Sequence, residues 1–219
     1  RLFSMGELRK ALDQNFENGC EGMRIALLKA PKFGNADKYV DDIASELYAA
    51  YAEAAEDNPN WLGDPWRPST LSVTSQVVHG NACNASPDGR RAEEHVSDGS
   101  VSAYPGTDVS GPTALIRSAV HPDASKLQSM LFNMKINPST IEGGVGSEKL
   151  ISLIETYFDL GGYQIQFNIV DSKMLKDAQK QPEKYQDLMV RVAGFSARWV
   201  ELGPAIQDEI IRRTEHSNI

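Results

Sequence analysis

The run from Ser147 to Val170 constrains the fold of this 219-residue chain more than any other segment. Helical spacing from Ser147 to Leu160 ends at Gly161-Gly162, a pair suited to closing a helix, and a strand follows over Tyr163–Val170. In that strand Tyr163, Ile165, Phe167 and Ile169 alternate with Gln164, Gln166 and Asn168. Successive strand side chains point to opposite faces, so one face meets a helix and the other meets a polar interior, as in the wall of a barrel.

The flanking sequence supplies mostly helices. Ser4 with Glu7 forms a capping box ahead of Leu8, Ala11, Leu12 and Phe16, which predicts a helix over 5–17, and a second short helix follows over Met23–Leu28. After the break at Pro31–Asn35, the residues Val40, Ile43, Ala44, Leu47, Tyr48, Tyr51 and Ala55 mark the longest helix, with Asn35 as its N-cap. Three prolines exclude helix from 58–68, read as a loop packed by Trp61 and Trp66. The β-branched stretch Thr70–Val78 reads as a strand, Pro87-Asp88-Gly89 as a turn, and Ser129–Ile136 as another strand. Asp171 or Ser172 caps a helix to about Lys180, Pro182 opens a helix that leads into a strand, and Pro204 opens the last helix, ending near Thr214. The class is α/β with helices predominating, and the loop-rich stretch 90–112 is the best domain boundary.

Composition narrows the function. A hydrophobic share of 41% supports a real core, while a net charge of −8 and a pI near 5.0, without clustered Lys and Arg, argue against nucleic-acid binding. No apolar run is long enough for a membrane span. Two cysteines, Cys20 and Cys83, without a Cys-x-x-Cys pair fit a reducing cytoplasm. Because an ordered helix begins at Ser4 and no Met opens the sequence, the expectation is a C-terminal piece of a longer chain.

One glycine stands out chemically. Arg191-Val192-Ala193-Gly194-Phe195-Ser196 places Gly194 in a short apolar loop. A glycyl Cα radical lies between a donating amide nitrogen and a withdrawing carbonyl, and without a side chain it flattens unhindered, so glycine is the natural residue to store one. Most loop glycines serve only positive φ or close approach, and the pentapeptide alone favours that plainer role.

Arg191-Val192-Ala193-Gly194-Phe195 resembles the Arg-Val-x-Gly-Tyr signature of glycyl radical enzymes, the pyruvate formate-lyase-like group, with Phe195 in place of Tyr. The resemblance extends through Leu160–Asn168, Asp177-Ala178-Gln179, Pro182–Tyr185, Gln207–Ile211 and Arg213-Thr214-Glu215, and upstream through Pro87–Arg91, Gly106-Thr107-Asp108 and Gly111-Pro112-Thr113. It implies the C-terminal part of a ten-stranded α/β barrel, helix-rich, with the radical loop entering the barrel: residues 1–92 the end of the catalytic domain, and 93–219 the glycine radical domain.

The same resemblance implies a radical on Gly194 installed by a separate radical S-adenosylmethionine activating enzyme, with no bound cofactor. The stored radical converts a cysteine in the upstream catalytic part to a thiyl, which attacks a small-molecule substrate. An anaerobic, oxygen-sensitive, cytoplasmic enzyme follows, homodimeric when complete. Its reaction would be that of a lyase, dehydratase, decarboxylase or arylsuccinate synthase, formate C-acetyltransferase-like in the broad sense. The stretch Ser102–Asp108 leans slightly toward aromatic substrates, and the substrate-choosing residues lie mostly elsewhere.

Neither cysteine fits the family's Cys-x-Glu motif. Cys20 is followed at once by Glu21, one position early, and Cys83 has no acidic neighbour and reads as a small buried hydrophobe. The catalytic cysteine is therefore expected outside this chain, which alone would be inactive. Two rivals are a free-standing spare part that repairs an oxygen-damaged enzyme and a non-enzymatic scaffold with a degenerate motif. Gly143-Gly144-Val145-Gly146-Ser147 lacks the Gly-Lys-Ser/Thr of a phosphate loop and reads as a helix-leading turn. His79, His95, His121 and His216 lack metal-ligand spacing.

Overall fold

The computed structural model describes residues 3–217. In chain order its elements are α1 (Met5–Asp13), α2 (Glu21–Leu28), α3 (Lys38–Glu56), α4 (Ser75–Ala82), α5 (Pro112–Ala119), β1 (Asn133–Ile136), α6 (Gly143–Asp159), β2 (Gln166–Ile169), α7 (Ser172–Lys180), β3 (Met189–Arg191), β4 (Ser196–Arg198), α8 (Pro204–Arg212) and β5 (Glu215–His216). They divide into two compact units, one of residues 1–31 with 75–96 and one of residues 32–74 with 97–219.

In the first unit, α1 opens on the expected capping box: the Glu7 N–H donates to Ser4 Oγ at 3.2 Å and the Ser4 N–H to Glu7 Oε2 at 2.7 Å. The helix stops at Asp13, short of residue 17, because Asn15 and Phe16 take φ of +51° and +58°. The Phe16 N–H then donates to the Ala11 carbonyl at 2.8 Å, a reversal that buries the Phe16 ring completely. The expected strand over Thr70–Val78 is not formed; Ser75–Ala82 is the helix α4. Strand propensity measures fit to a half-buried pleated surface with a partner, and Val78 is instead 67% exposed. Gln76 and Gly80, one helical turn apart, carry the packing, and a Cβ on Gly80 would lie 2.3 Å from His95 Cα.

The turn at Pro87–Gly89 forms as expected, closed by Gly89 N–H to the Ser86 carbonyl at 3.0 Å. Cys20 is half-buried, its Sγ 3.3 Å from Gln14 Oε1. Cys83 is exposed, which corrects its reading as a buried hydrophobe; it follows the end of α4, past the face that packs.

The second unit begins at α3, the longest helix. Asp37, not Asn35, is its N-cap, its side chain accepting from the Tyr39 N–H at 3.0 Å. Asn35 is used elsewhere: Nδ2 donates to the Thr107 carbonyl at 2.8 Å, and Oδ1 accepts from the Val109 and Ser110 amides at 2.9 and 3.0 Å. Residues 58–68 are a loop, but the two tryptophans do not pack it, Trp61 being 91% and Trp66 58% exposed. Asn60 organises it instead, its Oδ1 accepting from the Leu62 and Asp64 amides at 2.9 and 3.1 Å.

Strands β1 and β2 pair in parallel, Asn133 opposite Gln166 through Ile136 opposite Ile169, and α6 makes the crossover between them. Both strands are shorter than the sequence patterns at Ser129–Ile136 and Tyr163–Val170. β5 adds a parallel neighbour on the other side of β1. Gly143 opens α6, so the Gly143–Ser147 stretch is its first turn. The helix ends where Gly161 takes φ +96°: the Gly161 N–H donates to Phe158 and the Gly162 N–H to Tyr157, both at 2.9 Å, a Schellman closure that aims the chain into β2.

Two apolar clusters hold this unit. Phe132, Met134 and Ile136 pack with Leu115, Ile116, Leu153 and Tyr157, joined by Phe167 and Ile165 from the apolar face of the alternating strand. Val190, Val192 and Trp199 pack with Leu175 of α7 and Ile210 of α8. Completely burying side chains of this size contributes about 1.5–3 kcal/mol each. The second cluster is the base on which the Gly194 hairpin stands.

Candidate radical-bearing hairpin

Strands β3 and β4 form an antiparallel hairpin, Val190 opposite Ala197 and Arg191 opposite Ser196. The Val192 N–H donates to the Phe195 carbonyl at 2.9 Å, leaving Ala193 and Gly194 at the tip. Gly194 takes φ +83°, the left-handed region that glycine enters without steric cost. Val192 and Ala193 are fully buried, whereas Gly194 and Phe195 are exposed and a Cβ on Gly194 would meet none of the described residues within 4 Å. Within this chain the loop is anchored at its base and uncovered at its tip.

Both polar groups of Gly194 are held by side chains. Its N–H donates to Gln166 Oε1 at 3.2 Å, and its carbonyl accepts from Arg191 Nη2 at 3.3 Å. Arg191 Nε also donates to Gln166 Oε1, at 2.7 Å. Asn168, the next inward residue of β2, accepts from the Arg191 N–H at 2.7 Å through Oδ1 and donates to the Arg191 carbonyl through Nδ2. The polar face of β2 thus meets the hairpin.

Behind Gln166 runs a buried chain of partners. Gln166 Nε2 donates to Asn133 Oδ1, and Asn133 Nδ2 donates to the Asp98 carboxylate at 2.9 Å and the Asp98 carbonyl at 3.2 Å. Asp98 pairs with Arg213 Nε at 2.9 Å. Arg213 also forks onto Glu209, at 2.8 and 2.7 Å, and its Nη1 donates to the Val192 carbonyl at 2.8 Å. The route from β2 through β1 to α8 returns to the hairpin.

One cation therefore faces two buried carboxylates. Burial pushes the Asp98 carboxyl up to about 6 against the opposing pull of Arg213, with Glu209 adding to the rise. Burial works against the charge on Arg213, but Asp98 and Glu209 outweigh it and hold the guanidinium more firmly protonated than usual.

Sequence reading found Gly194 and the polar alternation of Gln166 and Asn168, but not what those amides bind. Asp98, Asn133 and Arg213 carried no motif that assigned them to this site. Only the alternation signalled a polar partner. Cys20 and Cys83 both belong to the first unit, and neither lies in the unit that carries Gly194. Among the described residues no helix is long and apolar enough to cross a membrane.

Comparison with known proteins places this hairpin in a family. The Glycine radical family model matches residues 97–200, and the Pyruvate formate lyase-like model matches residues 1–80. The chain belongs to the glycyl radical enzymes of the pyruvate formate-lyase-like group. It is 50% identical over 190 residues to the indoleacetate decarboxylase of Tractidigestivibacter scatoligenes, covering 87% of this chain and 22% of that one. It is 45% identical over 194 residues to the 4-hydroxyphenylacetate decarboxylase glycyl radical subunit of Clostridioides difficile, covering 89% and 22%. The glycerol-bound B12-independent glycerol dehydratase of Clostridium butyricum superimposes with a TM-score of 0.92 at 43% identity, over 98% of this chain and 27% of that one. The chain thus spans about a fifth of the length of the curated relatives it matches. Its helix-rich α/β architecture is that of the C-terminal part of the pyruvate formate-lyase-like fold.

Proposed function

We propose that Gly194 stores a carbon-centred radical and passes its oxidising capacity to a cysteine outside the 219 residues described by this sequence. The observation that carries the reading is the tip of the hairpin, where an exposed glycine at φ +83° has its own N–H and C=O both bound by side chains. In this reading residues 1–92 are the end of the catalytic domain and 93–219 the glycine radical domain, whose tip the remainder of the protein shields from air.

An activating enzyme of the radical S-adenosylmethionine type removes one hydrogen atom from Gly194 Cα. The glycyl radical then takes the hydrogen atom of the cysteine thiol, which restores glycine and leaves a thiyl. The thiyl abstracts hydrogen from the substrate and returns it after the substrate has rearranged. Identity of 45–50% to two arylacetate decarboxylases favours loss of CO2 from an aromatic acetate, with a hydrogen taking the place of the carboxylate. The match of residues 1–80 to the catalytic-domain family favours part of a complete enzyme over a spare part that replaces a damaged radical domain.

Electron paramagnetic resonance of the anaerobically activated protein tests the storage site. A doublet from one α-hydrogen, collapsing when glycine is supplied deuterated at Cα and absent in Gly194→Ala, is expected. A glycyl signal that persists in Gly194→Ala refutes the assignment. Release of CO2 from indoleacetate or 4-hydroxyphenylacetate, and no conversion of glycerol, separates the decarboxylase reading from a dehydratase.

A further inference from the structure

Resting on the radical-storage reading of Gly194, we propose that Gln166 and Arg191 are positioning residues that polarise the two peptide groups flanking its Cα, so that the unpaired electron is stabilised from both sides. Gln166 Oε1 accepts from the Gly194 N–H at 3.2 Å, and Arg191 Nη2 donates to the Gly194 carbonyl at 3.3 Å. A radical at Cα draws density from the nitrogen on one side and delocalises it into the carbonyl on the other. An acceptor on the N–H makes the nitrogen a better donor, and a cation on the carbonyl oxygen makes it a better sink, so the two contacts act in the same sense.

Hairpin closure alone does not require either contact. The Val192–Phe195 bond and the Arg191–Ser196 pairing already set the turn. A side chain 7% exposed is nevertheless aimed at the N–H.

The orientation of that side chain is dictated from a distance. The Asp98 backbone carbonyl can only accept, so Asn133 must present Nδ2 to it and Oδ1 to Gln166. Gln166 must then spend Nε2 on Asn133, leaving Oε1 for two donors, Gly194 N–H and Arg191 Nε. A flipped Gln166 amide would set NH2 against both. The acceptor facing the radical glycine is thus fixed by a residue two side chains away, and the cation facing its carbonyl is anchored on the same oxygen.

Electron–nuclear double resonance of the anaerobically activated full-length enzyme in D2O tests this. The wild-type radical is expected to show a coupled exchangeable deuteron at the Gly194 carbonyl oxygen, lost in Arg191→Met and weakened in Arg191→Lys. The g-value most sensitive to the carbonyl oxygen should rise in Arg191→Met, and the α-hydrogen splitting should grow in Gln166→Met as spin returns to Cα. Quenching by an added small thiol should quicken on the order of tenfold in either Met variant. A wild-type radical without that deuteron coupling overturns the proposal, as do variants whose splitting, g-values and quenching match wild type. Where a variant takes up no radical, the wild-type coupling decides. A wild-type enzyme with no glycyl signal refutes the storage reading itself.

Discussion

Arg213 Nη1 donates to the carbonyl of Val192 at 2.8 Å, and Val192 is the residue whose N–H closes the Gly194 turn. That single contact joins the end of α8 to the hairpin, and the same guanidinium neutralises Asp98 at the head of the amide chain that reaches Gln166. Position and polarity of the tip therefore share one buried cation.

Replacing Arg213 by Met should take the buried cation from Asp98, the fork from Glu209 and the donor from the Val192 carbonyl together. Removing one member of a buried ionic cluster costs about 3–5 kcal/mol. Urea unfolding should show a lower midpoint with an unchanged slope. Arg213→Lys should recover only part of the loss, because a single ammonium cannot match the fork onto Glu209 and the bond to Val192.

Stability should carry a signature of Asp98 between about pH 4 and pH 6. Its carboxyl rises to about 6 on folding, mainly through burial, so the folded state holds the proton more tightly than the unfolded chain. A raised acid contributes stability fully below its unfolded value of 3.8, and that contribution is lost as pH climbs through about 6. Denaturation across this window should show wild type losing stability relative to Asp98→Asn as pH rises. A difference that stays flat, or runs the other way, would contradict the assignment.

Gly194→Ala should fold. Among the described residues the added Cβ meets nothing within 4 Å, so the cost within this unit is that of the left-handed backbone, about 1 kcal/mol. The glycyl signal should nevertheless vanish, and turnover with it, while circular dichroism and melting remain close to wild type.

Gly162→Ala should behave in the opposite way. Its Cβ would fall 2.3 Å from the ring of Tyr157, which is 1% exposed and has no room to move. Overpacking of this kind costs about 1–3 kcal/mol. The shift should show in the melting temperature, with radical yield falling only as far as β2 and Gln166 are displaced.

Air should cut the activated protein at its radical. Mass spectrometry after exposure is expected to find a C-terminal fragment beginning near Gly194, absent from unactivated samples and from Gly194→Ala. An intact chain that had carried a verified radical would count against storage at this residue.

Local rules reached far into this fold. Capping chemistry located α1, the glycine pair located the end of α6, and Pro204 located the start of α8, because each depends on backbone geometry within a few residues, while the helix expected from Pro182 is only a three-residue 3-10 turn. Local rules failed at Thr70–Val78, where the pairing with Ser129 stops at an isolated bridge from Ser69 and the helix α4 takes over from Ser75. They failed also at Asn35 and the tryptophans of the 58–68 loop, whose partners or lack of them depend on segments far along the chain.

By itself the sequence singled out Gly194 and determined that the strand before it has a polar face, since both are written in neighbouring residues. What only the tertiary structure decided is what that face serves. Asp98, Asn133, Gln166, Arg191 and Arg213 lie on separate elements across more than half of the chain, and buried donors and acceptors must be matched one to one. That matching arises only when the strands are in register and α8 is docked, so no local pattern could have announced it.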